Sequence, residues 1–225
     1  MKKTIGIVIA MESELRPYLD KTPFTTKNIG GKTFYLSEIG RNNVVIVFSG
    51  IGKVNASYAC TLLCREFSPE FIISTGLSGG LGRSKILDTV VATATCQHDS
   101  DTTALGDPIG LVSTVNKIYF PTDSVLSDLI CRKTGAKKGV FACGDQFVAD
   151  KEKAQKIIEN FDAIACDMES GAIGQIAYLS GVPYVAIRVI SDGANEDSPV
   201  SFSELTDKAS VLLHDAVEKV LADLP

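Results

Sequence analysis

Short runs of consecutive apolar residues recur along the chain and are separated by more polar segments. The runs cover residues 5–10, 44–48, 71–75, 89–95, 140–143 and 184–190. Unbroken apolar runs of strand length are typical of strands that are covered on both faces, as in a sheet with a helix layer on each side. The pattern therefore predicts a central sheet of buried strands.

Between these runs, apolar residues recur at the spacing of helices. A helix is predicted over residues 53–67, and another after Asp150 as N-cap, with an apolar stripe of Ala154, Ile157, Ile158 and Phe161. A third stripe consists of Met168, Ala172, Ile176 and Leu179. Residues 201–204, Ser-Phe-Ser-Glu, form a capping box for a last helix, with the stripe Leu205, Ala209, Leu212, Ala216 and Val220.

The order of these elements determines the fold class. Strands alternate with helices, and Gly30-Gly31 marks a hairpin turn within the extra strand material of residues 24–48. We therefore predict an α/β fold, a three-layer α/β/α sandwich with a central mixed sheet. Residues 1–225 are expected to form a single domain, since no linker, repeat or low-complexity segment interrupts them.

Charge and hydropathy exclude two classes of partner. The chain has 22 basic and 27 acidic side chains, a net charge of −5, whereas nucleic-acid binders usually carry a basic excess. No apolar run approaches the roughly 20 residues of a membrane helix. The basic start of the chain leads into an apolar run of only strand length and then Glu12, unlike a signal peptide. We expect a cytoplasmic protein with no nucleic-acid or membrane partner.

The cysteines and histidines do not combine into a metal site. Cys60 and Cys64 share a helix face, but no histidine or second cysteine pair completes a ligand set, so the six cysteines are expected to be buried free thiols. The only histidines are His98 and His214. We therefore expect no metal and no cofactor.

Unusual residues follow several of the predicted strands. These segments are residues 10–14, 49–53, 75–80 and 188–193. Ligands of open α/β sheets bind at the carboxyl ends of strands, where these segments would meet. Neither glycine-rich segment has the Gly-Lys-Ser/Thr of a phosphate loop or the Gly-x-Gly-x-x-Gly of a dinucleotide site. Nucleoside triphosphate and dinucleotide binding are therefore not expected.

Acidic residues at these strand ends have two interpretations. Glu12, Glu14, Asp167 and Glu169 could simply place negative charge at helix N-termini. Asp192, which follows an apolar strand, could do the same. Alternatively, an acid at such a place is poorly solvated, and burial raises a carboxyl pKa into the range that suits general acid catalysis.

Seven segments in order carry a resemblance to a known family. They are residues 10–14 (Ala-Met-Glu-Ser-Glu), 49–53, 75–81, 98–106, 144–147, 167–169 (Asp-Met-Glu) and 188–192 (Arg-Val-Ile-Ser-Asp). Together they resemble the 5′-methylthioadenosine/S-adenosylhomocysteine nucleosidases of the purine nucleoside phosphorylase superfamily. The resemblance spans almost the whole chain and implies a nucleoside phosphorylase-like fold. It also implies hydrolysis of the N-glycosidic bond of adenine nucleosides, a role in methionine salvage and no cofactor.

The resemblance assigns catalytic roles to three residues. Asp192 matches the general acid that shares a proton with purine N7, and Glu14 matches the base that deprotonates water. Arg188 matches the residue near that water. The pair of carboxylates parallels the logic of glycoside hydrolysis. A carboxylate at Glu14 also repels phosphate, which favours water as the nucleophile.

The same resemblance implies the residues that contact the substrate. Glu169 matches the ribose-hydroxyl acceptor and Met168 the side chain packed on the sugar. Phe147 matches the ring stacked on the base, and the backbone of Val148 the group that reads its edge. The apolar wall around the 5′ substituent is matched by Met11, Ile51 and Phe202.

Two departures from the family pattern concern specificity. Leu77 stands where the family commonly has a serine, with Ser78 beside it. Leu105 replaces a phenylalanine in a segment, residues 98–113, that by resemblance contacts the partner of a homodimer and covers its 5′ pocket. A purine-nucleoside hydrolase or phosphorylase with another 5′ or base specificity therefore stays open. So does a non-catalytic purine-binding protein.

Overall fold

The computed structural model describes residues 2–221 and 224. Within them the strands are β1 Thr4–Ile9, β2 Thr25–Ile29, β3 Lys32–Ile39, β4 Asn42–Phe48, β5 Phe71–Gly80, β6 Thr89–Gln97, β7 Phe120–Pro121, β8 Lys137–Cys143, β9 Ala163–Asp167 and β10 Tyr184–Asp192. The helices are α1 Glu12–Lys21, α2 Lys53–Phe67, α3 Ser124–Thr134, α4 Lys151–Phe161, α5 Ser170–Ser180 and α6 Ser198–Leu221.

All ten of these strands join one mixed sheet. Its order is β10-β6-β8-β9-β5-β1-β4-β3-β2, with β7 paired to β6. Strand β5 is parallel to β1 and β10, whereas it is antiparallel to β9. Because β10 pairs with both β5 and β6, strands β10, β6, β8, β9 and β5 close into a ring. The mixed sheet is confirmed, and the ring was not predicted.

Helices cover the sheet on both faces, as the apolar runs predicted. Leu15 of α1, Ile130 of α3 and Leu213 of α6 pack in one core. The other face carries α2 and α5, represented by Leu63 and Ile173. Helix α4 packs in a third, smaller cluster. The three-layer α/β/α architecture is thereby confirmed.

The hairpin predicted at Gly30-Gly31 is present between β2 and β3. Both glycines have positive φ angles, 56° and 74°, which other residues adopt only with strain. Strand β3 then pairs antiparallel with β4. The hairpin therefore extends the sheet by two strands beyond β4.

Two helix predictions were wrong at their N-terminal ends. Helix α5 begins at Ser170, so Met168 lies before the helix rather than on its apolar stripe. Helix α6 begins at Ser198, and residues 201–204 are therefore inside the helix instead of capping it. In addition, Leu179 and Leu212 are exposed, because the packing of each helix is set by its neighbours and not by spacing alone.

The cysteine prediction holds for four positions. All six cysteines are free, and Cys60, Cys96, Cys143 and Cys166 are buried. Cys64 and Cys131 are only half-buried, which corrects the expectation for these two. No helix among residues 2–221 is both long and apolar enough to cross a membrane.

Candidate active site

A cavity of about 380 Å³ lies where β1, β5, β9 and β10 end. Glu14 and Asp192 line it, together with all seven residues expected to bind substrate: Met11, Ile51, Phe147, Val148, Met168, Glu169 and Phe202. Arg188 does not line this cavity. It is fully buried directly behind it, beside Glu169 and Thr75. The ten predicted site residues therefore occupy one region of the fold.

The Glu14 carboxylate is held from two sides. Its Oε1 accepts a hydrogen bond of 2.8 Å from the Leu77 backbone N–H, and its Oε2 accepts one of 3.0 Å from the Met11 N–H. Burial raises the pKa of Glu14 above its usual value, although these N–H donors and the charge of Arg188 oppose the rise. The result is an oriented carboxylate that is more basic than an exposed one.

Arg188 is anchored through the two terminal nitrogens of its guanidinium. One donates to the backbone oxygens of Ser74 and Ile187, and the other donates to Ser74 Oγ at 2.9 Å. The Nε–H is buried and has no hydrogen-bond partner. A Cβ on Gly76 would lie 3.5 Å from this Nε and 3.0 Å from Glu14 Oε1. Arg188 Nε and Glu14 Oε1 therefore both lie beside Gly76.

Glu169 lies at the start of α5 and lines the same cavity. It is the N-cap of α5, and its Oε1 accepts a 2.9 Å hydrogen bond from the Gly52 N–H. Burial, followed by the neighbouring charge of Asp167, raises the pKa of Glu169 to about 8. This carboxyl group is therefore harder to ionise than an exposed glutamate.

Asp192 ends β10, where a bulge interrupts its pairing with β5. Its Oδ1 accepts a hydrogen bond from the Ala194 N–H, and its Oδ2 accepts one from Ser191 Oγ, both at 2.9 Å. The residue is buried yet lines the cavity. Its carboxyl group is therefore oriented towards whatever occupies the cavity.

Aromatic and aliphatic side chains form the remaining wall. The rings of Phe147 and Phe202 meet edge to face, with centroids 5.7 Å apart. Phe147 is half exposed, whereas Val148 beside it is buried. An exposed ring at the mouth of a cavity can stack on a planar ligand with little rearrangement.

An ion pair and backbone hydrogen bonds connect Lys53, at the start of α2, with Asp99 and Asp145. Lys53 Nζ lies 2.6 Å from Asp99 Oδ1, and the Lys53 N–H donates to Asp145 Oδ1. The Asp145 N–H in turn donates to Asp99 Oδ2. Lys53 is therefore engaged in an ion pair at the edge of the site and is not a phosphate-binding lysine of a nucleotide loop.

The segment of residues 98–113 is irregular apart from a 3₁₀ turn at Thr103–Leu105. The Leu105 side chain is 83% exposed. Asp107 accepts hydrogen bonds from Thr102 Oγ1 and Ser113 Oγ, so its charge is held within the segment itself. Leu105 is therefore exposed and does not line this chain's own cavity.

Several residues that adjoin the cavity were not among the predicted site residues. They are Ala10, Leu77, Ser78, Gly79, Gln146, Cys166, Asp167 and Ser191. Leu77 and Ser78 both reach the cavity, and the Ser78 hydroxyl is buried without a partner. Asp167 could have been predicted from the sequence, because it and Glu169 flank Met168. The signal for Ser191 was its place beside Asp192.

Comparisons with known proteins agree with this geometry. Residues 4–222 match the family model described as the phosphorylase superfamily. A 5′-methylthioadenosine/S-adenosylhomocysteine nucleosidase of Shewanella halifaxensis is 36% identical, over 91% of this chain and 93% of its own. One from Staphylococcus epidermidis is 35% identical, over 98% and 100%.

Solved structures extend the similarity to three dimensions. A crystal structure of a Helicobacter pylori nucleosidase mutant with 5′-methylthioadenosine in its active site superimposes with a TM-score of 0.95. The two sequences are 30% identical, and all of each chain is covered. The chain belongs to the phosphorylase superfamily and, within it, to the 5′-methylthioadenosine/S-adenosylhomocysteine nucleosidases.

Proposed function

We propose that this chain, acting as one domain, hydrolyses the N-glycosidic bond of adenine nucleosides such as 5′-methylthioadenosine and S-adenosylhomocysteine and releases adenine. The observation that carries the proposal is the pairing of two buried carboxylates, Glu14 and Asp192, in one largely apolar cavity. Bond cleavage at a sugar needs one group to protonate the leaving base and another to activate water.

Asp192 is the general acid in this mechanism. It gives its proton to purine N7 as the C1′–N9 bond breaks, and the electron pair of that bond moves into the purine. The hydrogen bonds from Ala194 N–H and Ser191 Oγ support this role because they fix the carboxyl group within the cavity. Protonation of the leaving group lowers the barrier by the usual contribution of general acid catalysis.

Glu14 is the base, and water is the nucleophile. The water oxygen bonds to C1′, and Glu14 takes the proton that the water loses. The unpartnered Nε–H of Arg188 and Glu14 Oε1 both lie beside Gly76, which supports a water held near them between a donor and an acceptor. Positioned reactants of this kind avoid the entropy cost of a bimolecular step.

The remaining predicted residues bind the nucleoside. Glu169 accepts hydrogen bonds from the ribose hydroxyls, and Met168 packs on the sugar. Phe147 stacks on the adenine, while the Val148 backbone reads its edge. Met11, Ile51 and Phe202 surround the 5′ substituent. Their position around one cavity of suitable size for a nucleoside supports this assignment.

Phosphorolysis is the alternative reaction for this fold, and the charge of the site opposes it. Glu14 and Glu169 would both face an incoming phosphate, whereas no cation lines the cavity in the described part of the chain. The test is adenine release from 5′-methylthioadenosine with and without phosphate. We expect equal rates. A strict requirement for phosphate would overturn the proposal, and so would failure to release adenine in either condition.

We further propose that the protein is a cytoplasmic homodimer that serves methionine salvage. Helices α2 and α5 pack against each other, and each carries an exposed apolar side chain, since Val54 is 79% and Leu179 60% exposed. Ile51, three residues before Val54, lines the cavity, so a partner that covers Val54 would lie near the 5′ end of the site. Light scattering should show a dimer, and Val54→Glu should weaken it.

A further inference from the structure

The carboxylate of Asp167 connects two parts of the site and has no role in the mechanism above. Its Oδ1 accepts hydrogen bonds from the Glu169 N–H, the Ser170 N–H and Ser170 Oγ, at 3.2, 3.0 and 2.8 Å. Its Oδ2 lies 2.9 Å from a terminal nitrogen of Arg188. One oxygen therefore holds the first turn of α5, while the other faces the guanidinium.

The ion pair between Asp167 and Arg188 is removed from solvent, because each side chain is only 1% exposed. The contact lacks the alignment of a hydrogen bond and is chiefly electrostatic. A buried guanidinium without a counter-ion is strongly unfavourable. Within residues 2–221, Asp167 is the one carboxylate at salt-bridge distance from Arg188. The charge of Arg188 is therefore tolerated at this place because Asp167 balances it.

The direction of the guanidinium follows from the same contacts. Asp167 and Ser74 engage the terminal nitrogens, so the plane of the group is fixed and the free Nε–H is left towards Gly76 and Glu14. Loss of the pairing on one side would let the group rotate or withdraw. Displacements of about 1 Å in such groups can reduce a rate by roughly 100-fold.

We propose that Asp167 is a positioning residue, which holds Arg188 so that its Nε–H meets the water activated by Glu14. The inference rests on the proposed hydrolytic function, in which a water lies at that point. Asp167 does not touch the substrate in this role. It acts through the orientation and the charge balance of the arginine.

The Asp167→Asn substitution tests the ion pair with Arg188 separately from the hydrogen bonds that Asp167 accepts at the start of α5. Asparagine caps helices as well as aspartate does, so its oxygen can keep the three hydrogen bonds to the start of α5. Its amide NH₂ would face the Arg188 nitrogen, and two donors cannot pair. Asp123→Asn is the matched control, because Asp123 caps α3 through a 2.9 Å bond from the Leu126 N–H away from the cavity.

We expect kcat of Asp167→Asn to fall about 100-fold, while Asp123→Asn keeps parental kcat. The acidic limb of the kcat/KM profile should also move to lower pH. Glu169 is faced by Asp167, Arg188 and Glu14, and by the Gly52 N–H. Removal of one negative neighbour lowers its pKa. A merely structural role would reduce the active fraction and leave kcat per folded molecule at the parental value, and that result would overturn the proposal.

A double-variant cycle covers the case in which Asp167→Asn folds poorly. Adding Arg188→Gln removes the unbalanced charge and leaves two neutral amides, so the double variant should fold. If Asp167 acts through Arg188, then Asp167→Asn should lower kcat by less than about threefold in the Arg188→Gln background. A second 100-fold loss there would refute the proposal.

The proposed function and the positioning role can fail separately. Adenine release by the parental protein is measured first, and its absence would contradict the hydrolytic function. An active parent combined with an Asp167→Asn variant of parental kcat and unchanged pH profile would overturn only the role of Asp167.

Discussion

Replacement of Asp192 by asparagine removes the proton of the proposed general acid while preserving its shape. In the parental protein, Oδ1 accepts from the Ala194 N–H and Oδ2 accepts from Ser191 Oγ. Asparagine can keep its oxygen on Ala194 and direct its NH₂ to Ser191 Oγ. The Ser191 hydroxyl proton can then turn to the Ser78 carbonyl, 3.3 Å away.

The structure predicts a small effect of this substitution on stability and a large effect on rate. One N–H of the new amide pairs with Ser191 Oγ and the second can face the cavity that the residue lines, so the free energy of unfolding should change by less than about 1 kcal/mol. The side chain, however, can no longer protonate N7. General acid catalysis contributes at least about 100-fold, so kcat should fall by that factor, equivalent to about 2.7 kcal/mol of transition-state stabilisation.

The assay is adenine release from 5′-methylthioadenosine, with calorimetric unfolding of the same preparations. Asp150→Asn is the matched control, because Asp150 accepts a 2.7 Å hydrogen bond from the Lys153 N–H outside the cavity. It should retain parental turnover. Near-parental kcat in Asp192→Asn would refute the acid role. A large loss of unfolding free energy would instead show that Asp192 is a structural acid at the end of β10.

Further predictions concern the other carboxylates and the 98–113 segment. Glu14→Gln should lower hydrolysis at least about 100-fold but leave the affinity for a non-hydrolysable analogue within roughly tenfold, because Glu14 acts in the transition state. Calorimetric titration with the analogue tests this, and joint loss of binding and folding would contradict it. The kcat/KM value should fall as pH decreases through the raised pKa values of Glu14 and Glu169, since both act ionised; an acidic limb near the usual glutamate value would contradict this. The native pKa of Glu169, about 8, exceeds its usual 4.5, so the stability from its native protonation is present below about pH 4.5 and lost as pH rises through 8. Glu169→Gln should therefore melt higher than the parent at pH 8.5 but not at pH 4.5, and identical pH dependence in the two proteins would disprove it. Leu105→Phe should raise the ratio of kcat/KM for 5′-methylthioadenosine to that for adenosine about fivefold, because the ring would add apolar contact across a dimer. Leu212→Phe, at another exposed leucine, is the control. An unchanged ratio in Leu105→Phe would contradict the prediction.

Strand ends made much of the site predictable from the sequence. Glu14 lies shortly after β1, and Asp192 ends β10. Both strands are buried, largely apolar and parallel to β5, so their carboxyl ends meet at one edge of the sheet. The order of seven short segments then identified the family. Nine of the ten predicted site residues line the cavity for these two reasons, and Arg188 lies directly behind it.

Other features depended on contacts between distant parts of the chain. The antiparallel contact of β9 with β5 brings Cys166 against Gly79, and the ring of five strands follows from it. Asp167 and Arg188 are 21 positions apart and on strands that do not pair, so no spacing rule links them. The starts of α5 and α6 were also misplaced. The first turn of α5 is held by Asp167, a residue of the site that precedes the helix.

The charge balance of the cavity explains why this site favours water over phosphate. Four buried acids, Glu14, Asp167, Glu169 and Asp192, lie at or beside it, and Asp167 already neutralises Arg188. A phosphate would add negative charge beside Glu14 without an unpaired cation to receive it, and Coulomb repulsion is strong where water is excluded. A neutral water needs only an acceptor and a donor, and Glu14 Oε1 and the unpartnered Arg188 Nε–H both lie beside Gly76. Asp167, which neutralises Arg188, therefore contributes to the choice of water over phosphate as much as Glu14, which activates the water.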